Sequence, residues 1–250
     1  MRSRFFSKAG LCRFLSSLEV PAEDFVTVYI APNSFPDYAE VLSLGLKYGS
    51  YAGEIKEAVK TEAVIVGADK YRTGAAIFWG GIGNKHIVLP PFPIAEDRVL
   101  PGKLDYSVLY EVLERRYVIG VVLVAWGSYA LGVFDAGKLV AWKTGTGYIH
   151  KKHRKGGRSQ KRFARRTEEQ KKDFLRRVGN RIEERFGSFA PDYIFFGGNR
   201  LILNPLIQES KYLQTKASKI SPRMLHVRYA DREALVNSLA EITRFLVFSF

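Results

Sequence analysis

Between His150 and Gln160 the chain reads His-Lys-Lys-His-Arg-Lys-Gly-Gly-Arg-Ser-Gln, and Lys-Arg-Phe-Ala-Arg-Arg follows directly. Each residue type in this run has a use at a polyanionic surface. Gly156 and Gly157 lack a Cβ and reach positive φ, so the backbone there can approach a ligand closely. Lys151, Lys152, Arg154, Lys155, Arg158, Lys161, Arg162, Arg165 and Arg166 supply cations for phosphates. Gln160 carries an amide that both donates and accepts, which suits it to holding a water in a crowded polar site. The Gly-x-x-Gln spacing says little alone: with 22 glycines and four glutamines in 250 residues, about a third of a match arises by chance. An ordinary Gly-Gly turn before a helix fits that spacing equally well. The setting adds specificity, because the pair lies in a basic loop after three expected strands and ahead of a basic amphipathic helix.

The charge is concentrated around the same loop. Lys151 to Arg185 holds 15 Lys and Arg against five acids, a net +10 of the chain's +14. Such a window repels itself unless phosphates neutralise it, so a nucleic-acid partner is expected in preference to a solvated helix face. The polar loop from about Gly147 to Arg158 is expected to be poorly ordered in the free protein, since no apolar residue follows Ile149 to anchor it.

The remaining composition limits the function classes. With 46% hydrophobic and 13% aromatic residues the chain can bury a core. No uninterrupted apolar run reaches membrane-spanning length, and the start MRSRFFSKAG has no apolar h-region. The expectation is a soluble, cytoplasmic protein with no membrane partner. Cys12 is the one cysteine and there are four histidines, so neither an internal disulfide nor a zinc pattern is available. No metal and no cofactor are expected. A two-metal nuclease would need several carboxylates converging on the sheet, yet the strand VIGVVLVAW has none, Asp135 falls at a hairpin tip and Asp192 precedes its strand.

Patterning supplies the elements that position the loop. In the first half, helices are expected over Gly10 to Leu18, Tyr38 to Tyr48, Glu54 to Thr61 and Asp105 to Arg116. Strands are expected over Phe25 to Ala31, Ala63 to Gly67, Ala75 to Trp79 and His86 to Leu89, with Pro90, Pro91 and Pro93 ending the sheet. In the second half, strands at Tyr117 to Trp126, Tyr129 to Asp135 and Lys138 to Lys143 precede the loop. A helix from about Ser159 to Phe186 follows, with Phe163, Phe174, Val178, Ile182 and Phe186 on one face. Then come a strand (Tyr193 to Phe196), a helix (Pro205 to Ala217), a strand (Met224 to Arg228) and a helix (Arg232 to Phe248). The reading is α/β with two domains, 1–115 and 116–250, the second a ribonuclease H-like mixed sheet (βββαβαβα) flanked by helices.

The run KKHRKGGRSQKRFARR resembles the signature loop of the eukaryotic and archaeal class-1 peptide-chain release factors, where a basic lead-in precedes Gly-Gly-Gln and a segment much like Arg-Phe-Ala-Arg. The likeness extends over the second half, including VVLVAWGSYALGVFD, and more weakly to FVTVYIAP and GAAIFWGG in the first. The chain departs from the pattern in reading Gly156-Gly157-Arg158-Ser159-Gln160. That form is similar to the Vms-like branch, release-factor homologues that free nascent chains from stalled large ribosomal subunits. The decoding factors' Asn-Ile-Lys-Ser stands here as Glu54-Ile55-Lys56-Glu57, and their Tyr-x-Cys-x-x-x-Phe motif has no counterpart. As read, the chain also ends after the counterpart of the central domain, without a third domain.

The resemblance implies a degenerate N-terminal domain followed by a catalytic domain. It implies a peptidyl-tRNA hydrolase acting without a stop codon, with Gln160 as the water-positioning residue and Gly156 and Gly157 giving backbone approach. The partners implied are the ribosome, its large subunit in particular, peptidyl-tRNA and ribosomal RNA, with the protein monomeric off the ribosome. Two alternatives stay in view: a Pelota-like rescue factor that binds without hydrolysis, and a decoding release factor.

Overall fold

The computed structural model describes residues 1–18, 25–35, 51–149 and 158–250. The expected helix over Tyr38 to Tyr48 and residues 150–157 of the basic loop lie outside the described residues. In chain order the elements are β1 (Arg2–Phe6), α1 (Lys8–Ser16), β2 (Val26–Ile30), α2 (Ala52–Val59), α3 (Glu62–Tyr71), β3 (Ala75–Trp79), β4 (Lys85–Leu89), β5 (Arg98–Pro101) and α4 (Ser107–Glu114). They continue with β6 (Val118–Ala125), β7 (Ser128–Asp135), β8 (Lys138–Thr146), α5 (Arg158–Phe186), β9 (Tyr193–Gly198), α6 (Arg200–Glu209), α7 (Lys211–Thr215), a 3₁₀ turn (Ala217–Lys219), α8 (Arg232–Ile242) and β10 (Phe245–Ser249). The protein is mixed α/β and divides into two compact units, Met1–Arg115 with Ile242–Phe250, and Arg116–Glu241.

The first unit is built on a six-stranded sheet in the order β1-β10-β4-β3-β2-β5, antiparallel at every pairing. Its central strands are buried on both faces. Val26, Val28 and Ile30 of β2 pack with residues of α2 and α3, while Tyr29 packs with residues of α1 and α4 on the other side. A strand covered on both faces reads as a continuous apolar run, and that is how β2, β3 and β4 announce themselves.

Three expectations for this unit need correction. The segment Ala63 to Gly67 is helical, as part of α3. Its β-branched run looks strand-like, but burial follows helical spacing: Val64, Gly67 and Tyr71 face the core, while Ile65 and Val66 are exposed. Gly67 allows this helix to sit close on the sheet, since a Cβ there would meet Leu89 Cδ1 at 3.0 Å and Phe248 Cζ at 3.1 Å. The sheet also continues past the prolines, with Arg98–Pro101 pairing β2 as an edge strand. Finally, the last helix stops at Ile242, and residues 245–249 form β10 between β1 and β4, so the tail of the expected second domain completes the first unit's sheet. Phe-Leu-Val-Phe is apolar throughout, and periodicity cannot separate such a run from a buried helix turn.

The second unit has a mixed sheet in the order β8-β7-β6-β9, with β6 and β9 parallel and the other pairs antiparallel. The β7–β8 turn places Ala136 and Gly137 at φ 47° and 78°, the left-handed pair that a tight two-residue hairpin requires. Helices α5, α6 and α7 cover one face, through a core of Phe174, Val178, Ile182 and Phe186 with Ile202, Leu206 and Leu213. Helix α8 covers the other, where Leu235 packs against Gly132. The expected strand at Met224 to Arg228 reduces to a single parallel bridge, Leu225 to Gly197. Its next donors are taken locally: His226 N–H donates to the Glu241 carboxylate, and Val227 N–H to the Leu225 carbonyl. The expected helix over Pro205 to Ala217 starts earlier and is split. The Asn199 side chain caps α6 by accepting from Leu201 N–H, and Ser210 ends that helix and caps α7 by accepting from Leu213 N–H.

Helix α5 has 29 residues, about 43 Å at 1.5 Å per residue, whereas the eight-residue strands beneath it span about 26 Å. It therefore overruns the sheet. Phe174, Leu175, Val178, Ile182 and Phe186 are buried, which contributes roughly 8–15 kcal/mol before chain entropy is counted. Phe163, expected on the same face, is 46% exposed, because it lies beyond the end of the core.

Candidate nucleic-acid interface

The candidate interface is an arm with a defined base. At the base, strand β8 leaves the sheet with Gly147 N–H donating to the Gly127 carbonyl at 2.9 Å. Gly127 takes φ 91°, and a Cβ on it would stand 3.0 Å from the Gly147 carbonyl oxygen. Gly147 lies directly on Phe174: a Cβ there would meet Phe174 Cδ2 at 2.6 Å and Arg177 Nη2 at 3.1 Å. The Phe174 ring is flanked by Tyr129, centroids 6.3 Å apart, and by Trp126 at 6.4 Å. The Lys171 ammonium sits 5.1 Å from the Trp126 ring centroid, a cation–π contact at a half-exposed site.

From this base helix α5 runs outward. Among its described side chains none before Phe174 is buried. A helix of this length alone in water would be marginal, but here the buried half removes the nucleation cost and the exposed half only has to propagate. Ion pairs along it help by a few tenths of a kcal/mol each: Arg165 with Glu169 at 3.0 Å, Lys171 with Glu168 at 2.7 Å and Arg176 with Asp173 at 2.9 Å. Lys172 reaches Glu209 of α6 at 3.8 Å. Such exposed pairs are weak, so their cations remain exchangeable for phosphate oxygens. Arg162 and Arg166 are exposed and form no ion pair among the described residues.

The acids near the sheet have structural employment. Asp135 receives the Arg116 guanidinium through two hydrogen bonds, and this partner holds its carboxyl below the ordinary range. Asp192 accepts from Val118 N–H at 2.9 Å, fixing the entry of β6. Among the described residues no group of three or more His, Cys, Asp or Glu is placed to hold a metal ion, and no helix is long and apolar enough to cross a membrane.

Of the residues singled out from the sequence, Lys151, Lys152, Arg154, Lys155, Gly156 and Gly157 lie outside the described residues. Arg158, Gln160 and Lys161 belong by backbone to the first turn of α5. Arg162, Arg165 and Arg166 are exposed on the arm. The sequence reading missed the base: Gly127 is recognisable as a turn residue, but nothing in the pattern marks Gly147 or pairs it with Phe174. It also missed Trp126 as the support under Lys171.

The second unit is thus a mixed α/β unit carrying a basic helical arm, and comparison with known proteins places the chain in a family. Residues 117–247 match the Actinobacteria/chloroflexi VLRF1 release factor family, and the chain belongs to that family. It is similar to peptide chain release factor subunit 1 of Aeropyrum pernix, 26% identical over 258 residues, covering 92% of this chain and 67% of that protein. The corresponding protein of Methanopyrus kandleri is 25% identical over 194 residues, covering 69% of this chain and 46% of its own length. The chain thus spans only part of each relative. Among solved structures, the archaeal translation termination factor aRF1 aligns over 94% of this chain and 71% of its own, with 17% identity and a TM-score of 0.40. Archaeoglobus fulgidus Pelota aligns over 96% and 63%, with 9% identity and a TM-score of 0.29.

Proposed function

We propose that this protein is a peptidyl-tRNA hydrolase that releases nascent chains from stalled ribosomes or large subunits without a stop codon. One observation carries the reading. In a member of a release factor family, the Gly-Gly-Arg-Ser-Gln run leads into the first turn of a basic helical arm with no buried described side chain before Phe174. An arm of that kind suits entry into a crowded RNA site, with Arg162, Arg165 and Arg166, and the lysines and arginines of 151–161, meeting phosphates. The unit formed by Arg116–Glu241 is the catalytic domain on this reading.

The chemistry asked of the chain is positioning. The Gln160 amide places a water against the ester carbonyl joining peptide to tRNA. The water oxygen bonds to that carbon, the ester C–O bond breaks, and the tRNA ribose hydroxyl leaves with a proton. The neighbouring ribose hydroxyl and ribosomal RNA supply further polar groups. Gly156 and Gly157 let the backbone approach, and no metal or cofactor is needed. The site of action is the ribosome in the cytoplasm, reached as a monomer.

The test adds purified protein to stalled ribosome–nascent-chain complexes and follows peptidyl-tRNA conversion to free tRNA and free peptide. Conversion supports the reading. Binding without conversion would instead indicate a Pelota-like rescue factor.

A further inference from the structure

We propose that Gly147 and Phe174 form a positioning clamp that fixes the direction in which helix α5 carries Gln160. The consequence for catalysis rests on the release reading above; the geometry does not. Gly147, just past the end of β8, and Phe174, the first buried described side chain of α5, are in direct contact. From Phe174 to Gln160 the helix runs about 21 Å at 1.5 Å per residue, so a tilt of about 3° at the base moves the tip by about 1 Å. Misplacing a catalytic group by about 1 Å can cost about 10²-fold in rate. Direction at the base is therefore a functional quantity.

The base is built more tightly than packing alone requires. Glycine at 147 brings the backbone itself against the ring, leaving no room for a methyl, with 2.6 Å from the Cβ position to Phe174 Cδ2. The same residue is fixed along a second direction by its N–H bond to Gly127 at 2.9 Å. Gly127 in turn adopts φ 91°, a conformation that side chains rarely take. Tyr129 and Trp126 flank the Phe174 ring. One turn nearer the tip, Lys171 lies over the Trp126 ring and ties the arm to the same support. Beyond Lys171 no described side chain of the arm is buried, so the direction is set here.

The test compares wild type, Gly147→Ala, Phe174→Leu and the double variant in the full chain. The added methyl and the trimmed ring compensate in volume, so the double variant should recover what each single variant loses. Spin labels at Arg162→Cys and Asn237→Cys, in a Cys12→Ser background, report arm direction as a distance distribution. Unlabelled proteins report single-turnover release and ribosome binding. Each single variant should shift or broaden the distance by about 2 Å or more and slow release about tenfold or more, with binding within about twofold. The double variant should return both readouts towards wild type. Unchanged distances in the single variants, or no recovery in the double, would overturn the clamp. If Gly147→Ala fails to fold, Phe174→Leu must still show both effects, and wild-type behaviour in it overturns the proposal equally. Distances that respond in the variants, while the wild-type protein releases nothing, would uphold the clamp and sink the release reading.

Discussion

The indole N–H of Trp79 donates to Glu54 Oε2 at 3.0 Å, and the same oxygen takes the Lys85 ammonium at 2.6 Å. These partners, Lys85 first, hold the Glu54 carboxyl below its ordinary range. Glu54 of helix α2 is thus engaged by Trp79 and Lys85 of the sheet, with its side chain still 49% exposed. Glu57 projects, its side chain 80% exposed and 3.9 Å from Lys60.

Release should accordingly proceed without a stop codon. If, as the resemblance implies, Glu54 and Glu57 stand where decoding factors have Asn and Ser, neither a carboxylate engaged by Lys85 and Trp79 nor one that repels mRNA phosphates can do the work of the decoding motif. Large-subunit complexes lacking mRNA should be hydrolysed as fast as intact stalled ribosomes, measured by single-turnover conversion of peptidyl-tRNA. Hydrolysis confined to complexes with a stop codon in the decoding site would return the protein to the decoding class.

Acid should weaken the first unit through Asp105. Burial alone would raise this carboxyl, but the Lys103 ammonium at 2.7 Å and the Ser107 hydroxyl and N–H bring it down to about 2 from its ordinary 3.8. The folded-state value lies below the unfolded one, so the stabilisation is full above about pH 4 and is lost as pH falls towards 2. Asp105→Asn should cost up to about 2 kcal/mol at pH 7, with the gap from wild type closing between pH 4 and pH 2 in urea unfolding. A pH-independent gap would assign the loss to packing.

Binding should be steeply salt-dependent. If several arm cations meet phosphates, affinity for the ribosome should fall roughly 10³-fold or more between 50 and 200 mM salt, by analogy with counterion release on DNA. Arg162→Glu with Arg166→Glu should flatten that slope in co-sedimentation, since these two arginines have no competing described carboxylate. A slope unaffected by the pair would place the contacts elsewhere.

Gln160→Ala should slow release by about 10²–10³-fold, the usual loss for one positioned polar group, with binding and melting temperature nearly unchanged. Ala is at least as good a helix former, so the first turn of α5 does not suffer. Arg158→Ala and Ser159→Ala should be milder. A bulky residue at Gly157 should obstruct approach instead. Release at the wild-type rate by Gln160→Ala, with binding intact, would reduce the loop to an RNA grip.

The parts of this fold legible in the sequence are those where burial and local pattern agree. The hairpins β6–β7–β8 announce themselves through apolar runs and Gly-containing turns, and helix α5 through its spacing from Phe174 to Phe186. The rest was set by partners distant in the chain. Helix α3 carries a β-branched run that reads as strand, and only packing against Leu89 and Phe248 explains why Gly67 suits a helix. Phe163 keeps the helical spacing, yet no pattern states where the sheet beneath it ends. The basic loop with Gln160 was conspicuous from composition, whereas its base depends on Gly127 and Gly147 meeting across two strands, which no local window contains.

The place of β10 in the first sheet has a consequence for biosynthesis. Among the described strands β1 pairs with β10 alone, and β10 separates it from β4. While the chain is being made, Arg2–Phe6 lacks its described partner until Phe245–Ser249 has been added. At about 5–20 residues per second that delay is on the order of 10–50 s. The inserted unit, Arg116–Glu241, holds its own core and can close first. The unit encoded first is therefore completed last, and β4, with Ile87 and Leu89, keeps an unpaired edge throughout elongation.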